Sequence, residues 1–400
     1  MINIAVLGYG TIGSGVAAVL KTNRGIIARK AGEEIGIKYI LDLRDFPDDE
    51  NADRIIHDYS VILQDPEIRI VVEAMGGVEP AHTFARQAIE AGKHFVTSNK
   101  ALIAEYGAEL IALGASHRVN VFFEASVGGG IPILRPLNTS LSSEDILEIT
   151  GILNGTTNYM LTKMSEEGSE FADVLKEAQE KGYAEADPTA DIEGYDACRK
   201  IAILTSLAAG RQVNYTDIHT EGITSITAAD MKYAAAMNRR IKLLATSRKA
   251  GDSYCVMVAP FLIGADHPLS MVNDVFNAVF VRGNMVGETM FYGAGAGALP
   301  TASAVVADII DAARHMEEHT PIQWDPENLT LVSEKKMACA YFVRTTADPE
   351  AIEDAFGNVT YVKAEGIEGE QAFVTGIMDG ATYAEAAGRI DGIIQMIRVN

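Results

Sequence analysis

Four hundred residues allow about two or three domains at ~150 residues each. A composition of 48% hydrophobic and 22% charged residues is globular and excludes wholesale disorder. Thirty-three basic against 55 acidic residues leave a net charge of −22, a field that repels phosphate backbones and anionic lipid and argues against nucleic acid and membrane surfaces as partners. Cys198, Cys255 and Cys339 form no C-x-x-C pair and show no metal-ligand spacing, which fits a reducing compartment. The chain opens into an apolar strand with no basic leader. Its longest apolar run, 255–265, falls short of the ~20 residues that cross a bilayer. The expectation is a soluble, cytoplasmic protein.

Residues 2–7 read as a buried strand. Gly8-Tyr9-Gly10-Thr11-Ile12-Gly13 follows, and Val16, Ala17, Val19 and Leu20 recur at helical spacing. Strand, glycine turn and helix open a βαβ unit. Strands at 37–41, 69–73, 94–97 and 120–124, with helices at 80–91 and 104–116, predict an α/β domain over 1–130 with a Rossmann-type, doubly wound parallel sheet. From 131 to 300 the texture changes. A strand at 146–153, a helix-rich stretch with acidic turns to about 207, and strands at 254–262, 277–282 and near 289–291 predict α+β packing. A helix at 302–315, starting just after Pro300-Thr301, is expected to pack back on the first domain as part of 301–320. In 326–400, strands at 335–344, 359–363, 372–377 and 393–399 and helices at 349–355 and 383–390 give the order βαββαβ.

The glycine turn carries the first chemistry. Gly8 allows the tight turn, Gly10 lets backbone approach a pyrophosphate, and Gly13 lets helix and strand pack closely; the helix N-terminus offers N–H groups to the phosphate. Asp42 closes the second strand, where a carboxylate accepts from ribose hydroxyls, whereas Arg44 would meet a 2′-phosphate. NAD and NADP both stay open, as does a solvated surface pair. Lys100, in Thr97-Ser98-Asn99-Lys100-Ala101-Leu102, follows the fourth strand at the edge where ligands bind, although most lysines face solvent.

Residues 185–196 hold five carboxylates, Glu185, Asp187, Asp191, Glu193 and Asp196. Taken alone this is a hydrated acidic loop or a cation site. The helix behind it argues otherwise, because Lys200 lies along the apolar stripe Ala197, Ile201, Leu204 and Ala208, with Asp196 one turn earlier. A lysine turned inward needs a partner, and a partly desolvated ammonium suits proton exchange with an alcohol. The alternative is a purely structural Asp196–Lys200 pair. A second glycine run, Glu124-Ala125-Ser126-Val127-Gly128-Gly129-Gly130-Ile131-Pro132, offers carbonyls to a hard cation or simply connects domains.

In order, residues 8–16, 73–77, 97–102, 124–132, 151–159, 184–200, 219–223, 267–269 and 293–308 resemble homoserine dehydrogenase, over roughly residues 1–320. With no aspartokinase segment ahead of Met1, the resemblance implies the monofunctional form. It implies NAD- or NADP-dependent reversible reduction of aspartate 4-semialdehyde to homoserine, for threonine, methionine and isoleucine biosynthesis. Residues 131–300 become the substrate-binding and dimerisation domain of a homodimer or larger homo-oligomer. By the same resemblance Lys200 is the acid–base residue and Lys100 lies between cofactor and substrate. Glu185, Asp191 and Asp196 hold the substrate and orient Lys200. Gly8, Gly10, Thr11, Ile12, Gly13, Asp42, Arg44, Met75, Gly76 and Gly295 serve the cofactor. Glu124, Val127, Gly129 and Ile131 hold a sodium or potassium ion, mainly through carbonyls. Longer members end in an ACT domain with an Asp-x-Pro-Gly-Val-Leu type turn; here Thr346-Ala347-Asp348-Pro349-Glu350 lacks that glycine, which argues for a reduced ACT-like tail and against threonine binding there. Two rivals stand beside this reading. Aspartate-semialdehyde dehydrogenase would need a reactive cysteine, and a catalytically silent NAD(P)-sensing regulator would bind cofactor without turnover.

Overall fold

The β-branched runs Ile2–Leu7, Ile68–Glu73 and His94–Thr97 are buried on both faces, as strands of a helix-covered parallel sheet are. In the computed structural model, which describes residues 1–400, they belong to a six-stranded parallel sheet. Its order is Ile55–Ile56, Ile35–Leu41, Ile2–Leu7, Ile68–Glu73, His94–Thr97, Val121–Phe122. Strand order reverses between Ile2–Leu7 and Ile68–Glu73, and the crevice beyond their carboxyl ends is where such a sheet binds ligand.

This sheet belongs to the first of two compact units, made of Met1–Glu144, Ala202–Tyr215 and Gly293–Leu329. Helix Ala298–Arg314 sets Ala302, Val305 and Ile309 into the core with Ile4, Val6 and Val16. Gly15 permits that approach, since a Cβ there would stand 2.9 Å from the Ala298 carbonyl oxygen. The helix starts before Pro300 rather than after it, because proline is tolerated in a first turn whose N–H groups lack intrahelical partners. Helix Lys100–His117 likewise starts earlier than its periodicity suggests, capped by Asn99, whose side chain accepts the Leu102 N–H at 3.1 Å. The expected strand at 120–124 contracts to Val121–Phe122, since Glu124–Ser126 winds into a 3-10 turn.

The second unit joins Asp145–Ile201, Thr216–Tyr292 and Thr330–Asn400. Its mixed sheet runs Gly287–Ala294, Phe276–Gly283, Ile146–Ile152, Arg239–Ala250, Ser253–Gly264, Ile393–Val399, Ala338–Thr345, Gln371–Val374, Thr360–Tyr361. The spine is the hairpin of Arg239–Ala250 and Ser253–Gly264, paired along its whole length. The strand Arg239–Ala250 has no counterpart among the expected elements. Its leucines, alanines, lysines and arginines are helix formers, and pairing with a neighbour on each side overrides them.

In the tail the expected order βαββαβ gains one two-residue strand, Met378–Asp379, which pairs with Ala338–Thr345 just before helix Gly380–Ala387; helix Pro349–Phe356 follows the first strand, and the last strand lies beside the first. Composition suggests three segments where contacts divide the chain into two units. The reason is that Ile393–Val399 pairs in parallel with Ser253–Gly264, Phe261 opposite Arg398 and Leu262 opposite Val399. Two ion clusters fasten the tail. Arg344 donates to Asp230 at 2.7 Å and to both oxygens of Glu370 at 2.8 and 2.9 Å. Arg398 donates through both Nη atoms to Glu221 at 2.8 Å each, and His219 Nε2 lies 2.5 Å from the same carboxylate. Burial pushes the Glu221 carboxyl up, but the hydrogen bonds from His219 and Arg398 outweigh it and hold the pKa at about 2 against an ordinary 4.5. A carboxyl depressed on folding stabilises fully above its unfolded pKa, so this contribution is complete above pH 4.5 and is lost as pH falls through about 2. Acid unfolding followed by circular dichroism should show wild type losing more stability than Glu221→Gln over that window.

Candidate active site

In the first unit Gly8 takes φ +92° and donates its N–H to Leu41 O at 2.7 Å. A Cβ on Gly13 would stand 2.0 Å from the Gly8 carbonyl oxygen, whereas one on Gly10 would meet nothing within 4 Å. Gly10 brings no side-chain cap to helix Thr11–Thr22, so the first-turn N–H groups of Thr11, Ile12 and Gly13 are left for an anionic ligand. Asp42 Oδ2 accepts the Tyr9 N–H at 2.8 Å, and Arg44 bonds both carboxylate oxygens at 3.0 Å. The Arg44 guanidinium holds the Asp42 carboxyl far below the usual carboxylate range. A cavity of about 510 Å³ runs from Gly8 and Gly10 past Asp42 and Arg44 to Met75 and Phe84.

The turn carrying Met75 and Gly76 is built on a residue to which sequence reasoning gave no role. Glu73 is fully buried; its Oε1 accepts the N–H groups of Met75 and Gly76 at 2.7 and 3.1 Å, and its Oε2 accepts the Thr97 hydroxyl at 2.5 Å. Burial raises its pKa, against the pull of these hydrogen bonds. Thr97 Oγ1 in turn accepts the Asn99 N–H at 2.9 Å, and Asn99 Nδ2 donates to Gly77 O at 2.5 Å. Lys100, half-buried, is the first residue of the helix that Asn99 caps.

The loop from Glu124 to Ile131 is also held from behind. The Glu124 carboxylate accepts the N–H groups of Ile133, Leu134 and Arg135 at 2.5, 2.9 and 2.7 Å, and Asp308 accepts the Glu124 N–H at 2.8 Å. The Glu124 side chain is therefore committed to backbone. Val127, Gly129 and Ile131 are buried, and their carbonyls accept no hydrogen bond. Gly129, at φ +56°, meets Gly295 so closely that a Cβ would stand 2.4 Å from the Gly295 carbonyl oxygen.

In the second unit Lys200 is 9% exposed and donates to Asp196 Oδ2 at 2.6 Å and Leu153 O at 2.7 Å. Asn154 Nδ2 reaches Asp191 Oδ1 at 2.7 Å and Asp196 Oδ2 at 3.0 Å, while its Oδ1 caps helix Gly155–Glu167 by accepting the Thr157 N–H at 2.9 Å. Asp191, Asp196 and Lys200 are thus brought together, with Asn154 between the two carboxylates. Glu185 is exposed and stands outside this group. All three cysteines are buried, and burial pushes their thiols up, away from a reactive thiolate.

A dinucleotide cradle and an inward lysine paired to an acidic turn agree with what the chain is similar to. The family models "Homoserine dehydrogenase" and "Homoserine dehydrogenase, NAD binding domain" match residues 132–310 and 8–124. A homoserine dehydrogenase of Neisseria gonorrhoeae is 44% identical over 95% of this chain and 90% of its own. The chain belongs to the homoserine dehydrogenase family. The crystal structure of a homoserine dehydrogenase from Thiobacillus denitrificans superposes with TM-score 0.90 at 36% identity, covering 100% of this chain and 98% of that one. A hyperthermophilic archaeal homoserine dehydrogenase in complex with NADPH gives 0.66 at 30%, over 78% of this chain and 97% of that one. The enzyme is therefore an NAD(P)-dependent oxidoreductase, and no helix is long and apolar enough to cross a membrane.

For a homoserine dehydrogenase, Asn154 is the residue that sequence reasoning passed over. The available signal was an asparagine placed just before a helix start, where asparagine caps. Asn154→Ala should cost about 1 kcal/mol as a lost cap. It should also raise the homoserine KM about tenfold, because Asp191 and Asp196 lose their common donor. Thermal unfolding and steady-state kinetics with homoserine and cofactor varied separately would check both, and the cofactor KM should not move.

Proposed function

We propose that Lys200 is the acid–base residue of the reversible reduction of L-aspartate 4-semialdehyde to L-homoserine. A nicotinamide dinucleotide, when bound, supplies the hydride that reaches the aldehyde carbon. Lys200 gives one of its protons to the alkoxide oxygen as that charge forms, and in homoserine oxidation its neutral amine takes the proton back. The observation that carries this reading is the position of its ammonium, buried and held by Asp196 and the Leu153 carbonyl. Asp196 orients the lysine. Asp191 binds the ammonium of the amino-acid substrate, Glu185 joins it on the strength of the family resemblance alone, and Lys100 lends positive charge to the developing alkoxide. Lys200→Ala should lower turnover by about 10²-fold or more while cofactor affinity, read by fluorescence titration of the same preparation, stays at the wild-type value. Turnover above about a tenth of wild type would overturn the assignment.

In the cradle, Arg44 is held by Asp42 beside the ribose position, which supports NADP as a cofactor alongside NAD. The guanidinium takes the 2′-phosphate while Asp42 keeps its bond from Tyr9 N–H. Arg44→Ala should weaken NADP about tenfold and leave NAD nearly unchanged, whereas Asp42→Ala should weaken NAD more than NADP. Equal losses for both cofactors in both variants would remove these residues from the ribose site. Met75, Gly76 and Gly295 line the same cofactor. The carbonyls of Val127, Gly129 and Ile131, buried and without hydrogen bonds, support a sodium or potassium ion there, with the Glu124 carbonyl as a further donor.

The enzyme works as a cytoplasmic homodimer in this reading. Phe276, Met290 and Tyr292 remain 39%, 43% and 52% exposed on and beside the edge strand Gly287–Ala294, an apolar row that a second copy would cover. The tail, reduced and ACT-like, is not a threonine site at its first turn. The Thr346 N–H already donates to Gly392 O at 3.0 Å and the Ala347 N–H to Thr345 Oγ1 at 3.1 Å.

A further inference from the structure

Within the second unit, the segment His219-Thr220-Glu221-Gly222-Ile223 has no part in the reaction as described above, yet it joins the tail to the acidic turn. On the tail side Arg398, 8% exposed, forks both Nη atoms onto Glu221. The segment is seated on the central hairpin, His219 opposite Met257 and Thr220 opposite Val258, and the Glu221 N–H donates to Val258 O at 2.7 Å. On the other side it grips the turn that carries the carboxylates: the Ile223 N–H donates to Ile192 O at 2.8 Å. Two glycines interlock the backbones. A Cβ on Gly222 would stand 2.2 Å from the Ile192 carbonyl oxygen and 2.6 Å from the Glu193 Cα. One on Gly194, at φ +82°, would stand 3.1 Å from Thr220 and 3.2 Å from Val258. Packing this close has no slack, so a displacement of Glu221 passes directly to Ile192, Glu193 and Gly194. Those residues are the link between Asp191 and Asp196.

We propose that Glu221 and Arg398 are positioning residues for substrate binding: the bidentate pair sets where the acidic turn sits, and with it the spacing between Asp191, at the substrate ammonium, and Asp196, at Lys200. This rests on the assignment of Asp191 to the substrate made above. The fork geometry suits the task, because two parallel N–H···O bonds fix both distance and plane where a single ammonium fixes only distance.

The test uses the full-length enzyme carrying Arg398→Ala, Arg398→Lys or, as the reference for the substrate assignment, Asp191→Asn. The homoserine KM should rise about five- to tenfold in Arg398→Ala with the NADP KM within about twofold of wild type, and Arg398→Lys should fall between the two. KM does not depend on the amount of active enzyme, so partial unfolding of a variant cannot imitate this result. An unchanged homoserine KM in Arg398→Ala, with only the melting temperature lowered, beside a raised KM in Asp191→Asn would overturn the positioning role alone. An unchanged KM in Asp191→Asn would overturn the substrate assignment and the positioning role together.

Discussion

An ammonium taken out of water must be met by fixed acceptors, and much of the second unit follows from meeting that of Lys200. One acceptor is local: Asp196, one helical turn earlier, costs the fold nothing beyond the helix itself. The other is not. Leu153 O comes from the residue just past strand Ile146–Ile152, which is held between Phe276–Gly283 and Arg239–Ala250. Chain must turn sharply there, and Gly155 makes room, since a Cβ would stand 2.8 Å from Val275 O. Removing the carboxylate alone would leave a buried charge short of a partner, which is costlier than never having buried it.

The two units use the same local device for different ends. Asn99 caps the helix that begins with Lys100, and Asn154 caps the helix at the Lys200 group. In each case the asparagine also ties down a turn, through Gly77 O in one and through two carboxylates in the other. A capping residue is held by backbone geometry, so whatever its remaining atoms touch inherits that rigidity. Glu73 works in the same spirit: a carboxyl that burial pushes toward its neutral form still gathers two backbone N–H groups and a hydroxyl into one knot beneath the turn of Met75 and Gly76.

What could be read from sequence was what lies close along the chain. The glycine turn after Ile2–Leu7 and the pairing of Asp196 with Lys200 are separations of a few residues, and both are present in the structure. Asn154 and Asp196 are 42 residues apart, and no periodicity links them. Strand Arg239–Ala250 escaped for a related reason, since its composition favours a helix and only its neighbours make it a strand. The tail gave its element order correctly in outline, but not that its last strand would join the central sheet, a pairing between residues 261 and 398 that local pattern cannot encode.

That last pairing also decides how the molecule tolerates being shortened. Ser253–Gly264 is buried from Tyr254 to Ile263 and reads Tyr-Cys-Val-Met-Val-Ala-Pro-Phe-Leu-Ile. Its outer side is occupied in part by Ile393–Val399 and, further along, by His219–Thr220. A chain cut ahead of Ile393 would expose part of that apolar strand as an open sheet edge, lacking the charges and bulges with which natural edges repel one another. The C-terminal strand thus covers part of that edge, and the Arg398 fork, together with the Asn400 N–H on Leu262 O, is the catch that holds it there.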